Sequence, residues 1–176
     1  MTDTQAAPPP AEITAALQAH TTLTLAYADE DGPQACAVLY AVDEGPVPSL
    51  LFVTSATTRH GRALTAGAGA GEGGAGEGGA GEGGARVAFT AQHDGQRWTE
   101  LTGVQGRGHC RPLEGAERAA AWRAYGARFP YVERDDRLRA AMERTALWQL
   151  RPDWLRLIDN ARGFGHKTEW PHADSA

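Results

Sequence analysis

Apolar positions along this 176-residue chain follow two periods. In AEITAALQAH (11–20), Ile13, Ala16, Leu17 and His20 recur at helical spacing and predict a short amphipathic helix starting near Ala11. TTLTLAYA (21–28) is rich in threonine and aliphatic residues and reads as a strand. DEDGP turns the chain, and QACAVLYAV (34–42) predicts a second strand, so 21–42 is a hairpin. LLFVTS (50–55) is a third strand. A short helical turn is expected at 59–64, capped by Thr57 or Thr58. RVAFTAQ (86–92) and a long run, 98–113, give strands four and five. Glycines 103, 106 and 108 in the fifth predict a bulge or a close backbone approach.

The C-terminal part returns to helical spacing. In 114–129, Ala119, Trp122, Tyr125 and Phe129 share a face, and Pro130 ends the helix. RDDRLRAAMERT predicts a further short helix with Leu138, Ala141 and Met142 inward, its Asp135 and Asp136 solvated capping groups. ALWQLRPDWLRLIDN (146–160) is strand-like and bent at Pro152. ARGFGHKTEW is a glycine-containing terminal segment. Several strands with short turns and a few small helices argue for a mainly β protein, a closed or partly closed barrel with helical decoration.

One stretch breaks the pattern. From Ala70 to Gly84 the pentamer AGEGG repeats three times. Matches to GxGxxG arise here by abundance. A helix precedes the tract and a strand follows it, the reverse of the order that a dinucleotide loop requires. With no apolar side chains to offset ordering entropy, 66–85 is expected to be a disordered loop expansion. Residues 1–10 form a Pro/Ala tail, leaving one domain over 11–176.

Composition narrows the function classes. The formal net charge of -5 gives no general nucleic-acid or membrane surface, and no apolar run approaches membrane-spanning length. The N-terminus lacks the basic flank and apolar stretch of a secretory signal. Cys36 and Cys110 are far apart in sequence and are expected as reduced thiols in a cytoplasmic protein. His109 and Cys110 point to opposite faces of a strand, so no metal centre is expected. No Gly-x-Ser-x-Gly elbow is present.

Candidate chemistry concentrates in LLFVTSATTRHGRAL (50–64). A strand ends in Thr54–Ser55, two hydroxyls follow at Thr57 and Thr58, and Arg59–His60 open a helix. A helix N-terminus offers free N–H groups, hydroxyls add donors, and a guanidinium binds phosphate bidentately. The stretch reads either as an anion site or as a threonine-capped helix with a solvated arginine.

This stretch resembles the phosphate-binding segment of the pyridoxamine 5′-phosphate oxidase-like, FMN-binding split-barrel family. The resemblance rests on Phe52, Thr54, Ser55, Thr58, Arg59 and His60, and on the order of elements over about 11–170, with GVQGRGHCRPL, YGARFP and DNARGFGHKTEW in their places. It implies a split β-barrel homodimer with FMN in a groove between the barrels. Thr54, Ser55, Thr58, Arg59 and His60 would hold the phosphate. Tyr40 and Gln105 would lie near the ring, and Lys167 would come from the partner chain. Phe164 and Trp170 either cover the ring or pack the core or dimer contact. The implied activity is a flavin-dependent redox reaction on a small molecule.

Departures from the family pattern alter the expected substrate. Ala35 and Tyr40 stand where pyridoxamine phosphate oxidases carry an arginine and a lysine, and LRLIDNARGFG lacks their Arg-x-His pair. His60 replaces a lysine, so a phosphate affinity that declines between about pH 6 and 8 is expected for an imidazole titrating near ~6.5. The alternative that the resemblance leaves open is a non-catalytic module binding flavin, haem or the deazaflavin F420, since related branches hold haem or F420. For haem, His166 or His172 would be the axial ligand.

Overall fold

A computed structural model describes residues 7–70 and 84–171. Seven strands form one antiparallel sheet: β1 (Thr22–Asp29), β2 (Gly32–Asp43), β3 (Ser49–Thr54), β4 (Ala85–Gln92), β5 (Thr102–Pro112), β6 (Ala146–Asp159) and β7 (Lys167–Trp170). Their order is β3-β2-β1-β4-β5-β6-β7, and a further pairing of β3 with β6 closes the first six into a barrel. Closure removes the open edges that β3 and β6 would otherwise present.

Strand β6 makes this possible by dividing one edge between two partners. Ala146–Leu150 pair with β3, whereas Leu155–Ile158 pair with β7. Between them the β5–β6 register jumps, with Arg107 opposite Trp154 but Gly108 opposite Pro152, leaving Asp153 as the extra residue of a bulge. Proline has no N–H to donate, so it suits the gap between two partners. Gly108 is required there, because a Cβ would lie 2.1 Å from the Arg151 carbonyl oxygen. Gly106 has the same role inside the barrel, where the Phe89 ring occupies the space of a Cβ at 2.4 Å. The bend expected at Pro152 and the close approach expected at the glycines are therefore one feature.

Alternation sorts the strand residues. Leu23, Leu25, Val38, Phe89, Val104, Leu155 and Leu157 point inward and are buried. Helix α1 (Ala11–Ala19) adds Ile13 and Leu17 to this core. A second cluster lies outside the barrel. Helices α3 (Gly115–Arg128) and α4 (Pro130–Arg134) cover Ala41, Leu51 and Leu147 with Ala121, Tyr125, Phe129 and Val132. This cover explains why Tyr40 and Ala41, neighbours on one strand, are both buried.

Several sequence expectations need correction. Helix α2 runs Arg59–Ala70, so 66–70 are helical rather than loop, because Leu64 anchors the helix in the barrel core. Most of the AGEGG repeat lies outside the described residues, as do the first six residues of the expected tail. Residues 98–100 form a 3-10 turn, and β5 starts at Thr102. Helix α3 ends at Arg128, ahead of Pro130 as expected, and Pro130 in addition opens α4, a position that needs no N–H. Ala119 and Ala141 are exposed, and Ala121 is the buried alanine of α3. Leu138 and Met142 of α5 (Asp136–Glu143) pack partly against the outer cluster, and Asp135 caps that helix through the Arg137 and Leu138 amides. The terminal segment contains β7, for which the sequence offered no strand signal. Both cysteines are free thiols.

Gly108→Ala is expected to destabilise the protein by about 1–3 kcal/mol through overpacking at the bulge, measured by urea denaturation against wild type. His20, at the α1–β1 junction, is 2 % exposed, with neither ring nitrogen hydrogen-bonded and the His93 ring 4.3 Å away. Burial, reinforced by His93, holds its pKa below the ordinary histidine value. The unfolded chain therefore takes up the proton first as pH falls. The stability owed to neutral His20 is complete above about pH 6.5 and is lost as pH drops through the lower folded pKa. Wild type should lose more melting temperature between pH 7 and pH 5 than His20→Leu does.

Candidate functional site

The turn between β3 and α2 is built around Thr58. Its hydroxyl donates to the Ser55 carbonyl at 2.8 Å and accepts from the Gly61 amide at 3.1 Å, which makes it the N-cap of α2. Gly61 lets the helix sit directly on the turn, since a Cβ there would lie 2.1 Å from the Ser55 carbonyl oxygen. On the outer side the Ser55 and Thr57 hydroxyls meet at 2.8 Å. Thr54 is held from the barrel side, where Trp148 Nε1 donates to its carbonyl at 3.2 Å. The first-turn amides of α2 precede the helix's own hydrogen-bond ladder, which is the physical basis of anion binding at such a terminus.

Arg59, the first residue of α2, is 47 % exposed and already paired. Its Nε donates to Asp29 at 2.7 Å and its Nη2 to Asp31 at 2.5 Å, both at the tip of the β1–β2 hairpin. The Arg59 guanidinium holds the Asp29 carboxyl below its ordinary pKa. Beside the pair lies an open cavity of about 630 Å³, lined by Asp29, Glu30, Asp31, Arg59 and Arg62 together with small residues of α2.

The structure thus brings five of the eight expected site residues together: Thr54, Ser55, Thr58, Arg59 and His60. His60 does not extend the anion site as expected. Its Nε2 is bonded to Thr54 Oγ1 at 2.5 Å, half-buried against Tyr27, and burial lowers its pKa. Burial works against its charged form, which weakens the basis of the expected decline of phosphate affinity between pH 6 and 8.

The remaining three lie elsewhere. Tyr40 is fully buried and donates its hydroxyl to the Leu17 carbonyl at 2.6 Å, locking α1 to the barrel. Its place near a bound ring is corrected to a place in the core, because α1 closes over that end of β2. Gln105 is exposed on the outer face of β5, beside a smaller, more apolar groove of about 280 Å³ that also includes Gly103 and Ile158. Lys167 is exposed opposite Ile158. Across the ladders Gln105 faces Thr90, and Thr90 faces Thr24. Thr24 is five residues before Asp29 on β1, or about 17 Å along the strand. One chain therefore does not bring Gln105 to Arg59.

The outer face around Gln105 was not legible beforehand. Directly paired residues share a face, so Leu39, Ala37 and Ala35 of β2 align with Thr22, Thr24 and Ala26 of β1. Farther across, the Trp154 ring lies between the Arg107 and Arg156 guanidiniums at 5.2 and 4.9 Å. Phe164, 85 % exposed, faces Trp98, whereas Trp170 is core. His166 is half-buried with Nε2 unpartnered, and His172 lies outside the described residues. Among the described residues no group of three or more His, Cys, Asp or Glu is placed to hold a metal ion, and no helix is long and apolar enough to cross a membrane.

No family model matches the sequence. The chain is 37% identical over 86 residues to the UPF0306 protein YhbP of Escherichia coli O157:H7, covering 49% of this chain and 53% of that one. It thus spans about half the length of the curated relatives it matches. Three solved structures share the fold. A haem binding protein from Mycobacterium smegmatis aligns with TM-score 0.60 and 21% identity over 89% of this chain and 54% of that one. A FAD-binding protein from Mesorhizobium loti gives TM-score 0.58 and 14% identity, over 84% and 90% of the two chains. A Clostridium acetobutylicum protein of the pyridoxinephosphate oxidase family, related to general stress protein 26 of B. subtilis, gives 0.57 and 11%, over 91% and 92%. The fold, a split β-barrel, is shared with these neighbours.

Gly61→Ala should destabilise the turn more than Thr58→Ala, which removes a cap worth about 1 kcal/mol. Denaturant unfolding of the two variants side by side checks the order.

Proposed function

We propose that this protein binds a flavin mononucleotide through the β3–α2 turn and uses it for redox chemistry on a small molecule. The observation that carries the reading is the placement of Arg59: a guanidinium at the first residue of a helix, following a turn that carries the Ser55 and Thr57 hydroxyls, and lining a cavity of about 630 Å³. Fork-shaped donors at a helix N-terminus suit a terminal phosphate. The shared fold with a FAD-binding protein supports a flavin there.

A second copy of the chain completes the site in this reading. Gln105 is offset from the Arg59 end of the sheet by about 17 Å along the strand, and Lys167, paired with Ile158, which faces Gly103, lies beyond it across the sheet, whereas the small-residue face of β2 and β1 is suited to close sheet-to-sheet contact. A homodimer then carries each phosphate turn to the partner's Gln105 surface. Bound flavin supplies hydride or electron transfer; the chain's own groups bind and orient it and exclude water. Pyridoxamine phosphate is not the expected substrate, since Ala35 presents only a methyl group and Tyr40 is buried.

The haem alternative draws on the unpartnered Nε2 of His166 and on the shared fold with a haem binding protein; nothing comparable favours F420. Absorbance of the purified protein separates haem from flavin.

FMN titration of wild type and Arg59→Ala tests the main reading. The variant should bind at least about tenfold more weakly, the worth of a charge-assisted hydrogen bond of ~1.5 kcal/mol or more. Equal affinity removes Arg59 from the site and the reading with it.

A further inference from the structure

Arg59 does not wait with an open hand. Asp29 binds it through both carboxylate oxygens, Oδ2 to Nε at 2.7 Å and Oδ1 to Nη2 at 3.2 Å, and Asp31 adds Oδ2 to the same Nη2 at 2.5 Å. This is the fork-to-carboxylate geometry that a phosphate would otherwise occupy. The clamp is positioned by the chain. Asp29 and Gly32 are paired across the ladder, Glu30 and Asp31 turn the chain, and Gly32 takes the positive φ of 99° that the residue following such a turn favours. The Asp31 amide donates to Asp29 Oδ1 at 3.0 Å, which aims both carboxylates at the helix. The adjoining cavity carries three carboxylates (Asp29, Glu30, Asp31) against two guanidiniums (Arg59, Arg62), and Arg62 Nη1 donates to the Thr57 carbonyl at 2.5 Å.

Resting on the phosphate-turn reading, we infer that Asp29 and Asp31 are an intramolecular counter-anion that sets the charge selectivity of the site. A ligand reaches Arg59 only by displacing two carboxylates. A monoanionic carboxylate offers the guanidinium nothing that Asp29 does not already supply. A phosphate carrying nearly two charges at neutral pH outcompetes it. The hairpin tip thereby rejects carboxylate ligands, and it lowers affinity for phosphate itself. The ion pairs are partly exposed, Asp29 15 % and Asp31 70 %, so the latch is weak enough to open.

The test compares FMN and riboflavin binding to wild type, Asp29→Asn/Asp31→Asn and Arg59→Ala by fluorescence titration. Asparagine keeps the Oδ1 that accepts the Asp31 amide, so the hairpin is retained. Asp31→Asn alone, at an exposed position, gives a second variant should the double one fold poorly. The inference expects FMN to bind the double variant about three- to tenfold more tightly than wild type, as two partly exposed ion pairs allow, with riboflavin unchanged. Unchanged or weaker FMN binding in the Asp variants, with Arg59→Ala still weakened, overturns the latch and leaves the phosphate turn standing. FMN and riboflavin binding alike in all proteins overturns the phosphate turn and the latch together.

Discussion

The structure depends on the divided edge of β6. A 14-residue strand that paired along its whole edge with one neighbour could not close the barrel and also carry β7. The bulge at Pro152 and Asp153 bends it, so its first part joins β3 and its last part joins β7. Closure then fixes the end of β3. Thr54 pairs with Ala146, Trp148 stacks on Phe52, and the Trp148 indole holds the Thr54 carbonyl. The turn that follows is thus anchored to the barrel wall before any of its own hydrogen bonds are counted.

That anchoring gives the site its character. Thr58 is used as a cap, His60 is turned toward Thr54, and Arg59 is held by the hairpin tip. Few groups in the turn are idle. An anion site of this kind works by exchange, with the ligand replacing contacts that the protein makes to itself. Affinity is then the difference between two sets of charge-assisted hydrogen bonds, and the hairpin carboxylates tune it as directly as the residues that touch the ligand.

Much of the fold was legible in the residues. Alternation in β1, β2 and β4, the hairpin at Asp31–Gly32, the bend at Pro152 and the glycine spacing in β5 all reported their structures, because each is a local steric or solvation rule. The failures have a common cause. Helix α2 extends through glycines of poor intrinsic helicity because Leu64 is buried in the barrel. Strand β7 exists because β6 offers it an edge. Ala119 and Ala121 exchange roles because α3 packs on a sheet surface whose position the sequence does not state. Within the site, the cluster from Thr54 to His60 was legible because its residues are contiguous. The capture of Arg59 by Asp29 and Asp31 was not, since 28 or more residues separate the partners.

The sequence by itself determined the β-rich composition, the strand and turn positions, and a run of hydroxyls with Arg59 at a helix start. These follow from backbone sterics and from side chains close together in the chain. Only the tertiary structure decided that Tyr40 serves the core, that His60 is turned toward Thr54, that Gln105 lies far along the strands from Arg59, and that two carboxylates occupy its guanidinium. Burial and charge pairing arise between segments distant in sequence, and their energies exist only once the barrel has closed.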